Sequence, residues 1–224
     1  MQTDQHTSEP VTVADDPAAR DLLRRAFEST YRWNHAFKGF SARLKIQEAG
    51  KTLDGTVSVQ LPDSVTVSLP DPDIQKWAEG QIGMMAVHRG HRSFDQADGR
   101  HTLTLGEDDH HPLGRLLVIH GDAMNSKYRV LGRQIRQINR SMGPVRFTIN
   151  VEDSLNTPDG KHLTTRYTVY YFHPKDGSIK QVDSVTDDHA VVAGVYLPGT
   201  RRIISAEAGE VHVRVMAFSG HTLL

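Results

Sequence analysis

The sequence predicts an α+β protein, mainly antiparallel β, in which a curled half-barrel sheet is covered by two helices from the N-terminal half. Segments in which apolar and polar residues alternate recur along most of the 224 residues, separated by turn residues. This pattern is typical of antiparallel strands with one solvated face. Helical periodicity occurs in only two segments, both before Gly90, and βαβ alternation is absent. A sheet of so many strands curls or splits, which leaves a concave face for the helices to cover.

The first helix is predicted to begin at Asp16-Pro17, because Asp is a favoured N-cap and Pro a favoured first helical residue. Apolar residues then recur at helical spacing, at Leu22, Leu23, Ala26, Phe27 and Tyr31. Residues 1–14 are polar and aperiodic, which predicts a disordered arm in front of a single β-rich domain over 15–224.

Alternating runs over 40–46, 57–61 and 65–69 predict a meander of three strands. Pro70-Asp71-Pro72-Asp73 then interrupts the sheet, and a second helix is predicted roughly from Asp73 to Gly90. We expect one side of this helix to lie on the sheet; that side carries Ile74, Trp77, Ala78, Ile82, Met85 and His88.

Further alternating runs extend to Ala217 and predict the rest of the sheet. Asp159-Gly160 and Asp176-Gly177 are typical of hairpin turns. The acidic stretch Asp187-Asp188-His189 is interpreted as another turn between strands.

Composition excludes several classes of function. The formal net charge is -1, which argues against a nucleic-acid partner, because phosphate binding needs a concentrated basic field. Without cysteine, disulfides, thiolate zinc sites and a cysteine nucleophile are excluded. The polar N-terminal residues lack the apolar core of a signal peptide, and no run approaches the roughly 18 apolar residues of a membrane span. We therefore expect a cytoplasmic protein.

Several short motifs make the chain resemble an uncharacterised domain family found mainly in cyanobacteria. The resemblance covers nearly the whole chain from Ala18 onward and implies no established activity. The motifs are Tyr31-Arg32-Trp33, Phe40-Ser41-Ala42, His88-Arg89 with Ser93-Phe94-Asp95-Gln96-Ala97 and Gly99, Gly121-Asp122-Ala123-Met124, Ser141-Met142-Gly143 and Thr164-Thr165-Arg166-Tyr167.

The order of helix, meander, covering helix and long meander also resembles the half-barrel of lipoprotein carriers such as LolA and LolB. The stretch Gly194-Val195-Tyr196-Leu197-Pro198, which enters the final strands, is similar too. That fold implies a curled sheet that grips an acyl chain beneath helices, although a shared fold does not fix function. Those carriers are exported or membrane-anchored, and this chain shows neither signal.

The first functional hypothesis is a binding module for a hydrophobic or amphipathic small molecule, held between the curled sheet and the second helix. It rests on the predicted architecture and on the absence of nucleophile, phosphate-binding and dinucleotide motifs. The predicted ligand-binding residues are Trp77, Met84, Met85, Val57, Val59 and Phe147.

The second hypothesis is a histidine-based enzyme acting in the same cavity. The chain has 13 histidines, and His88 falls among the apolar residues of the second helix. His88, helped by Arg89 and Asp95, is the predicted catalytic group, in competition with a hydrogen-bonded core role.

A divalent metal ion is the predicted cofactor of this second hypothesis. His101 is in phase with Leu103, and His120 is in phase with Val118. If both faces point inward, His88, His101 and His120 converge on a metal. The run Glu107-Asp108-Asp109-His110-His111 is a weaker metal candidate, which competes with a solvated hairpin tip.

A scaffold or assembly protein is the third hypothesis. Its partner surface would be an exposed sheet edge or a basic face formed by Arg129, Arg133, Arg136 and Arg140. A solvated strand face explains the same arginines equally simply.

Overall fold

A computed structural model describes residues 13–224 as two helices and one twelve-stranded antiparallel sheet that does not close into a barrel. The predicted fold class is therefore confirmed. The helices are α1 (Pro17–Glu28) and α2 (Pro72–Arg89), and a 3₁₀ turn covers Asp98–Arg100. The strands are β1 (Gly39–Glu48), β2 (Lys51–Gln60), β3 (Ser64–Ser68), β4 (Thr102–Leu105), β5 (Arg115–His120), β6 (Lys127–Leu131), β7 (Gln134–Met142), β8 (Val145–Asn156), β9 (His162–Phe172), β10 (Ile179–Val192), β11 (Val195–Glu207) and β12 (Glu210–Leu223).

The strand order is β3-β2-β1-β12-β11-β10-β9-β8-β7-β6-β5-β4. Strands β1 to β3 form a short meander, and strands β4 to β12 form a long one. The two join in one sheet because β1 pairs with β12. Since β3 and β4 are the two edge strands, the connection that contains α2 runs from one edge of the sheet to the other. Both helices pack against the same face, which we call the inner face.

Helix α1 begins where its sequence predicted. The Asp16 carboxylate accepts hydrogen bonds from Ala18 N at 2.8 Å and Ala19 N at 3.4 Å, which satisfies two of the free N–H groups of the first turn. Leu23 and Phe27 point to the sheet and are buried. They pack with inner-face residues of β4, β5 and β6 into one core, which comprises Ala19, Leu23, Ala26, Phe27, Phe94, Leu103, Leu117, Ile119, Tyr128 and Val130.

Helix α2 forms a second, separate core at the other end of the sheet. Its N-cap is Asp71, whose carboxylate accepts from Asp73 N and Ile74 N. The buried residues Ala78, Ile82 and Ala86 recur every four positions. They cover the inner face of β1, β2 and β12, where Phe40, Leu44, Ile46, Val57, Val59, Met216 and Phe218 are buried.

The prediction of a turn at Asp187-Asp188-His189 is wrong, because these residues lie inside β10. Asp187 pairs with Arg201 of β11, and a register shift follows between Asp188 and His189. The stretch is polar because it contributes to a buried polar group, described below.

The predicted division into an arm over 1–14 and one domain over 15–224 stays a prediction, since residues 1–12 lie outside the described part of the chain. Within residues 13–224, no helix is both long and apolar enough to cross a membrane.

Candidate functional site

The inner face of the central strands lies between the two helices. Helix α1 makes its main sheet contacts with β4, β6 and β7, and α2 with β3. Neither core includes a residue of β8, β9 or β10. We call this space the central cleft. Its floor is made by inner-face side chains of β8 and β9, of which Val169 is buried. The others are partly exposed, namely Phe147, Ile149, Val151, Tyr167 and Tyr171.

The two faces of these central strands differ in polarity. On the outer face, Thr148 donates to Asn139, and Gln137 donates to Asn150. On the inner face, Phe147 and Tyr171 are cross-strand partners whose rings lie 6.2 Å apart. A sheet face without a protein layer over it is usually polar, so the apolar character of the cleft floor is unusual.

Basic side chains surround one end of the cleft. Arg32 follows α1, His88 ends α2, Arg92 lies in the connection after α2, and Arg140 belongs to β7. Burial, and then the charges of Arg92, Arg140, Arg89 and Arg32, lower the pKa of the His88 imidazole. We call Arg32, Arg92 and Arg140 the arginine wall.

Packing holds two members of the wall in place. The Arg32 guanidinium lies 3.8 Å from the centre of the Phe27 ring, and its Nη1 donates to Phe27 O at 2.7 Å. Arg140 donates from Nη2 to Tyr128 Oη at 2.7 Å and from Nε to Ser126 Oγ at 3.2 Å. Because these contacts already restrict the two side chains, less conformational entropy is lost when a ligand binds to them.

Neither packing contact brings a counter-charge. Among residues 13–224, no carboxylate forms an ion pair with Arg32, Arg92 or Arg140. Nε of Arg32 and Nε of Arg92 are buried and have no hydrogen-bond partner in the described chain. Burial, and then the nearby Arg92 charge, lower the pKa of Arg32 to about 10.

Two acidic groups lie near the arginine wall: Asp122, which accepts from the Ser126 hydroxyl that Arg140 contacts, and Asp98. Burial raises the pKa of the Asp98 carboxyl group, and the charges of Arg140 and Arg92 oppose that shift. Its carboxylate forms no ion pair within the described chain, so it neutralises the wall only from a distance.

His88 lies beside the wall and is exposed, while protein surrounds it on several sides. It comes one turn after Met84 and two positions after the buried Ala86, so its predicted place on the sheet-facing side of α2 is wrong. Burial is the main cause that lowers the pKa of His88, to about 4, followed by the charges of Arg92 and Arg140. The imidazole is therefore neutral at pH 7.

A second polar group lies beneath the end of α2. Arg201 donates to both carboxylate oxygens of Asp187, at 2.8 and 2.7 Å, and both residues are buried. The Arg89 guanidinium lies 3.4 Å from His189 Nε2 and 3.4 Å from Thr164 O. Burial lowers the pKa of His189 to about 4, with Arg89 as the next cause.

The predicted ligand cavity directly beneath α2 is filled by protein. Val57 and Val59 are 2% and 0% exposed and belong to the core under α2. Met85 lines a crevice of about 10 Å³ against β10 and β11, which holds at most one water molecule. Trp77 is partly buried and packs against Arg214, whose guanidinium lies 4.7 Å from its ring centre.

Of the two remaining predicted ligand-binding residues, Met84 lies away from the sheet and Phe147 lies on the cleft floor. Met84 is 60% exposed and points away from the sheet, so its assignment to the cavity is wrong. Residue 84 comes two positions after the buried Ile82, which turns it roughly 200° around the helix. Phe147 lies on the floor of the central cleft.

The predicted catalytic residues do not come together. Asp95 is exposed and bonds to Arg24 of α1 at 2.7 Å. Arg89 points beneath α2 toward His189, whereas His88 is exposed. No described side chain forms a hydrogen bond with His88, so the structure supplies no group that orients its imidazole.

The predicted metal site is also wrong. His120 Nε2 lies 2.8 Å from Thr104 Oγ1. Thr104 and His120 occupy the outer face, because Leu103 and Ile119 pair across β4 and β5 on the inner one. His101, next to Asp98, is on the inner side, so the three imidazoles cannot share an ion. Residues 13–224 contain no group of three or more potential metal ligands within reach of one ion.

The predicted acidic loop and the predicted basic face meet at one ion pair, Asp109 with Arg129. Asp108 pairs with Arg115, and Asp109 pairs with Arg129 at 2.6 Å. Arg133 donates to Ser29 Oγ at 2.8 Å, while Arg140 points into the cleft. These arginines therefore do not form one continuous basic face.

The wall residue Arg92, together with Tyr171, Asp187 and Arg201, was absent from the predicted sites. Tyr171 was assigned to a strand. Because it alternates with Phe172, only one of the two can lie on the same face of the sheet as Phe147. For Arg92 the sequence offers no signal, because it lies in an irregular connection.

Comparisons with known proteins identify a family but no activity. The sequence model described as "Protein of unknown function (DUF3386)" matches residues 14–224. No curated protein matches the sequence. A solved domain from Vibrio parahaemolyticus, described as an outer membrane lipoprotein-sorting protein domain, is similar with a TM-score of 0.36 and 6% identity, over 92% of each chain. A DUF1329 family protein from Desulfovibrio piger ATCC 29098 has a TM-score of 0.33 and 9% identity, over 94% of each chain. Similarity this weak leaves the function to be inferred from the cleft itself.

Proposed function

Since the chain belongs to the DUF3386 family, whose function is unknown, we propose from the cleft alone that it binds a hydrophobic or amphipathic small molecule. The ligand lies on the floor of the central cleft, between α1 and α2. The predicted membership in an uncharacterised family is confirmed, whereas binding remains our proposal.

One observation carries the proposal: Phe147, Ile149 and Tyr171 form an aromatic and aliphatic part of the inner face that is partly exposed and belongs to neither helix's core. Exposed apolar surface of this kind, within a concavity, marks ligand-binding sites more often than plain surface. Each Å² that a ligand removes from water contributes about 25 cal/mol. A small apolar molecule that covers Phe147 and Tyr171 thus gains a favourable contribution, against which the entropy lost on binding is set.

The site differs from the one the sequence predicted. The space beneath α2 is occupied by Val57, Val59 and the buried side of the helix. The central cleft lies further along the sheet, where Phe147, Ile149 and Tyr171 are partly exposed beside the buried Val169. Phe147 is common to the prediction and to the proposed site.

Titration with N-phenyl-1-naphthylamine, a neutral apolar fluorophore, tests the proposal. We expect one saturable site per chain, with a Kd of roughly 1–100 µM for a ligand of this size. A fluorescence signal that rises linearly without saturation, at protein concentrations above that range, would contradict binding in a defined cleft.

The other hypotheses have less support. An enzyme centred on His88 loses its predicted helper, since Asp95 bonds to Arg24. The scaffold role and the cytoplasmic location stay predictions, which light scattering and cell fractionation would test.

A further inference from the structure

We infer that the central cleft selects amphiphiles with one anionic head group, which the arginine wall binds while the apolar part of the molecule lies on Phe147 and Tyr171. The inference rests on the proposed function and adds the chemical class of the ligand. Carboxylate, sulfonate and phosphate heads share the required chemistry, namely oxygen atoms that carry negative charge.

The first support is an uncompensated charge. Arg32, Arg92 and Arg140 place three guanidinium groups around one space, whereas two carboxylates lie near it, Asp98 and Asp122, and neither forms an ion pair with the wall. A buried charge is costly unless it is paired. Outside the wall, the buried or partly buried Arg201 and Arg214 have carboxylate partners, whereas Arg89 and Arg136 form no ion pair in the described chain.

The second support is the unsatisfied polar atoms. Nε of Arg32 and Nε of Arg92 are withdrawn from solvent without an acceptor. Most buried polar groups have a partner, and exceptions often mark a site for a water or an ion. Arg92 forms no hydrogen bond with any described residue, so its Nη groups are available to an added acceptor.

The third support is the position of the wall relative to the apolar floor. Arg140 of β7 and Phe147 of β8 are direct cross-strand partners, and Phe147 in turn pairs with Tyr171 of β9. Side chains directly opposite each other lie on one face, about 5 Å apart at Cβ. The row therefore passes from a guanidinium to two aromatic rings, which matches a molecule with a charged end and an apolar body.

Arginine suits the proposed head groups. A guanidinium presents parallel N–H donors to paired oxygens, and hydrogen bonds between charged groups are about twice as strong as neutral ones. His88 has no such role, because its lowered pKa leaves the ring neutral. It can donate one hydrogen bond without adding charge.

A matched pair of probes tests the inference. 8-Anilinonaphthalene-1-sulfonate carries the same two aromatic groups as N-phenyl-1-naphthylamine plus one sulfonate. We expect the intact chain to bind the sulfonate about tenfold more tightly, the effect of one charge-assisted contact. Arg92→Gln and Arg140→Gln should each remove most of this preference and leave the Kd of the neutral probe unchanged.

The controls separate the wall from general electrostatics and from misfolding. Arg202→Gln removes an exposed charge from β11 and should preserve the preference. Arg140→Gln loses the hydrogen bonds to Tyr128 and Ser126 and can therefore destabilise the fold. Arg92 forms no hydrogen bond in the described chain, so Arg92→Gln should fold and keeps the test informative. Inorganic phosphate distinguishes an amphiphile from a free anion; we expect it to bind more weakly than the sulfonate probe.

Equal affinity for the two probes, or a preference that survives Arg92→Gln, would overturn the inference while leaving the apolar site intact. Phosphate that binds as tightly as the sulfonate probe would contradict the inference that the ligand is an amphiphile and would indicate a site for a free anion. Absence of saturable binding by the neutral probe would instead contradict the proposed function.

Discussion

Arg201 and Asp187 form a two-point ion pair across β10 and β11, with each side chain less than a tenth exposed. The pair contrasts with the arginine wall, whose charges lack such a partner. Asp187→Ala should lower the free energy of unfolding by about 3–5 kcal/mol, because it leaves a buried guanidinium unpaired. Urea denaturation measures the change.

A matched control for that prediction is Asp153, which pairs with Arg166 across β8 and β9 in an exposed position. Asp153→Ala should cost about 1 kcal/mol or less. The double variant Asp187→Leu with Arg201→Met should recover most of the lost stability, since neither charge is then left alone. Equal costs for the two single substitutions would show that burial does not decide the strength of the pair.

Stability should fall as the pH drops from about 6.5 toward 4, partly because of His88. Its pKa is about 4 in the folded protein and 6.5 as a free group. Between these values the unfolded chain binds a proton that the native state does not, so acid favours unfolding. His189, with its pKa also lowered to about 4, acts in the same direction.

His88→Gln should therefore reduce the loss of stability between pH 7 and pH 5, as measured by urea denaturation at both values. Because His88 is exposed, we expect a fraction of the full linkage effect. His212→Gln, at an exposed residue of β12, provides the control. An unchanged pH dependence in His88→Gln would show that the imidazole is not held neutral.

Phe147→Ala should weaken binding of N-phenyl-1-naphthylamine about tenfold, because the probe loses an aromatic contact on the cleft floor. Phe172→Ala is the matched control: Phe172 is also partly buried, but it lies on the outer face, where Arg146 covers its ring. The same loss of affinity in both variants would place the probe outside the cleft.

Gly39→Ala should destabilise the fold by about 3 kcal/mol or more. Gly39 has φ +140, and an added Cβ would lie 1.9 Å from Val59 O, where β1 meets β2. Gly209 is the control position, because it has φ +85 but nothing within 4 Å of an added Cβ. Its substitution therefore measures only the cost of a side chain at positive φ. Gly209→Ala should lose only about 1–2 kcal/mol in thermal or urea denaturation.

Local signals were sufficient to predict the elements of the fold. The caps at Asp16 and at the Pro70–Asp73 break identified both helices, and period-2 alternation identified most strands. Strand β10 was the exception, because its inner-face positions include Gln181, Asp183 and Asp187. A strand that contributes polar groups to the inside lacks the alternation by which strands are recognised.

The site was predictable only in part, because its members are distant in sequence. Alternation placed Phe147 on one face of β8 but did not reveal whether that face was covered. The arginine wall joins Arg32, Arg92 and Arg140 from three segments that only the sheet order brings together. Met84 was misplaced because the apolar residues of α2 do not all lie on one side, as the exposed Met84 and Val87 show, so its sequence does not specify a single buried side.

Methyl NMR on isoleucine-labelled protein tests the central cleft most directly. During titration with N-phenyl-1-naphthylamine, Ile149 on the cleft floor should show the largest shift change. Ile82 in the core under α2 and Ile204 on the outer face should stay nearly unchanged. Shifts centred on Ile82 or Ile204, with Ile149 unaffected, would contradict a binding site in the central cleft.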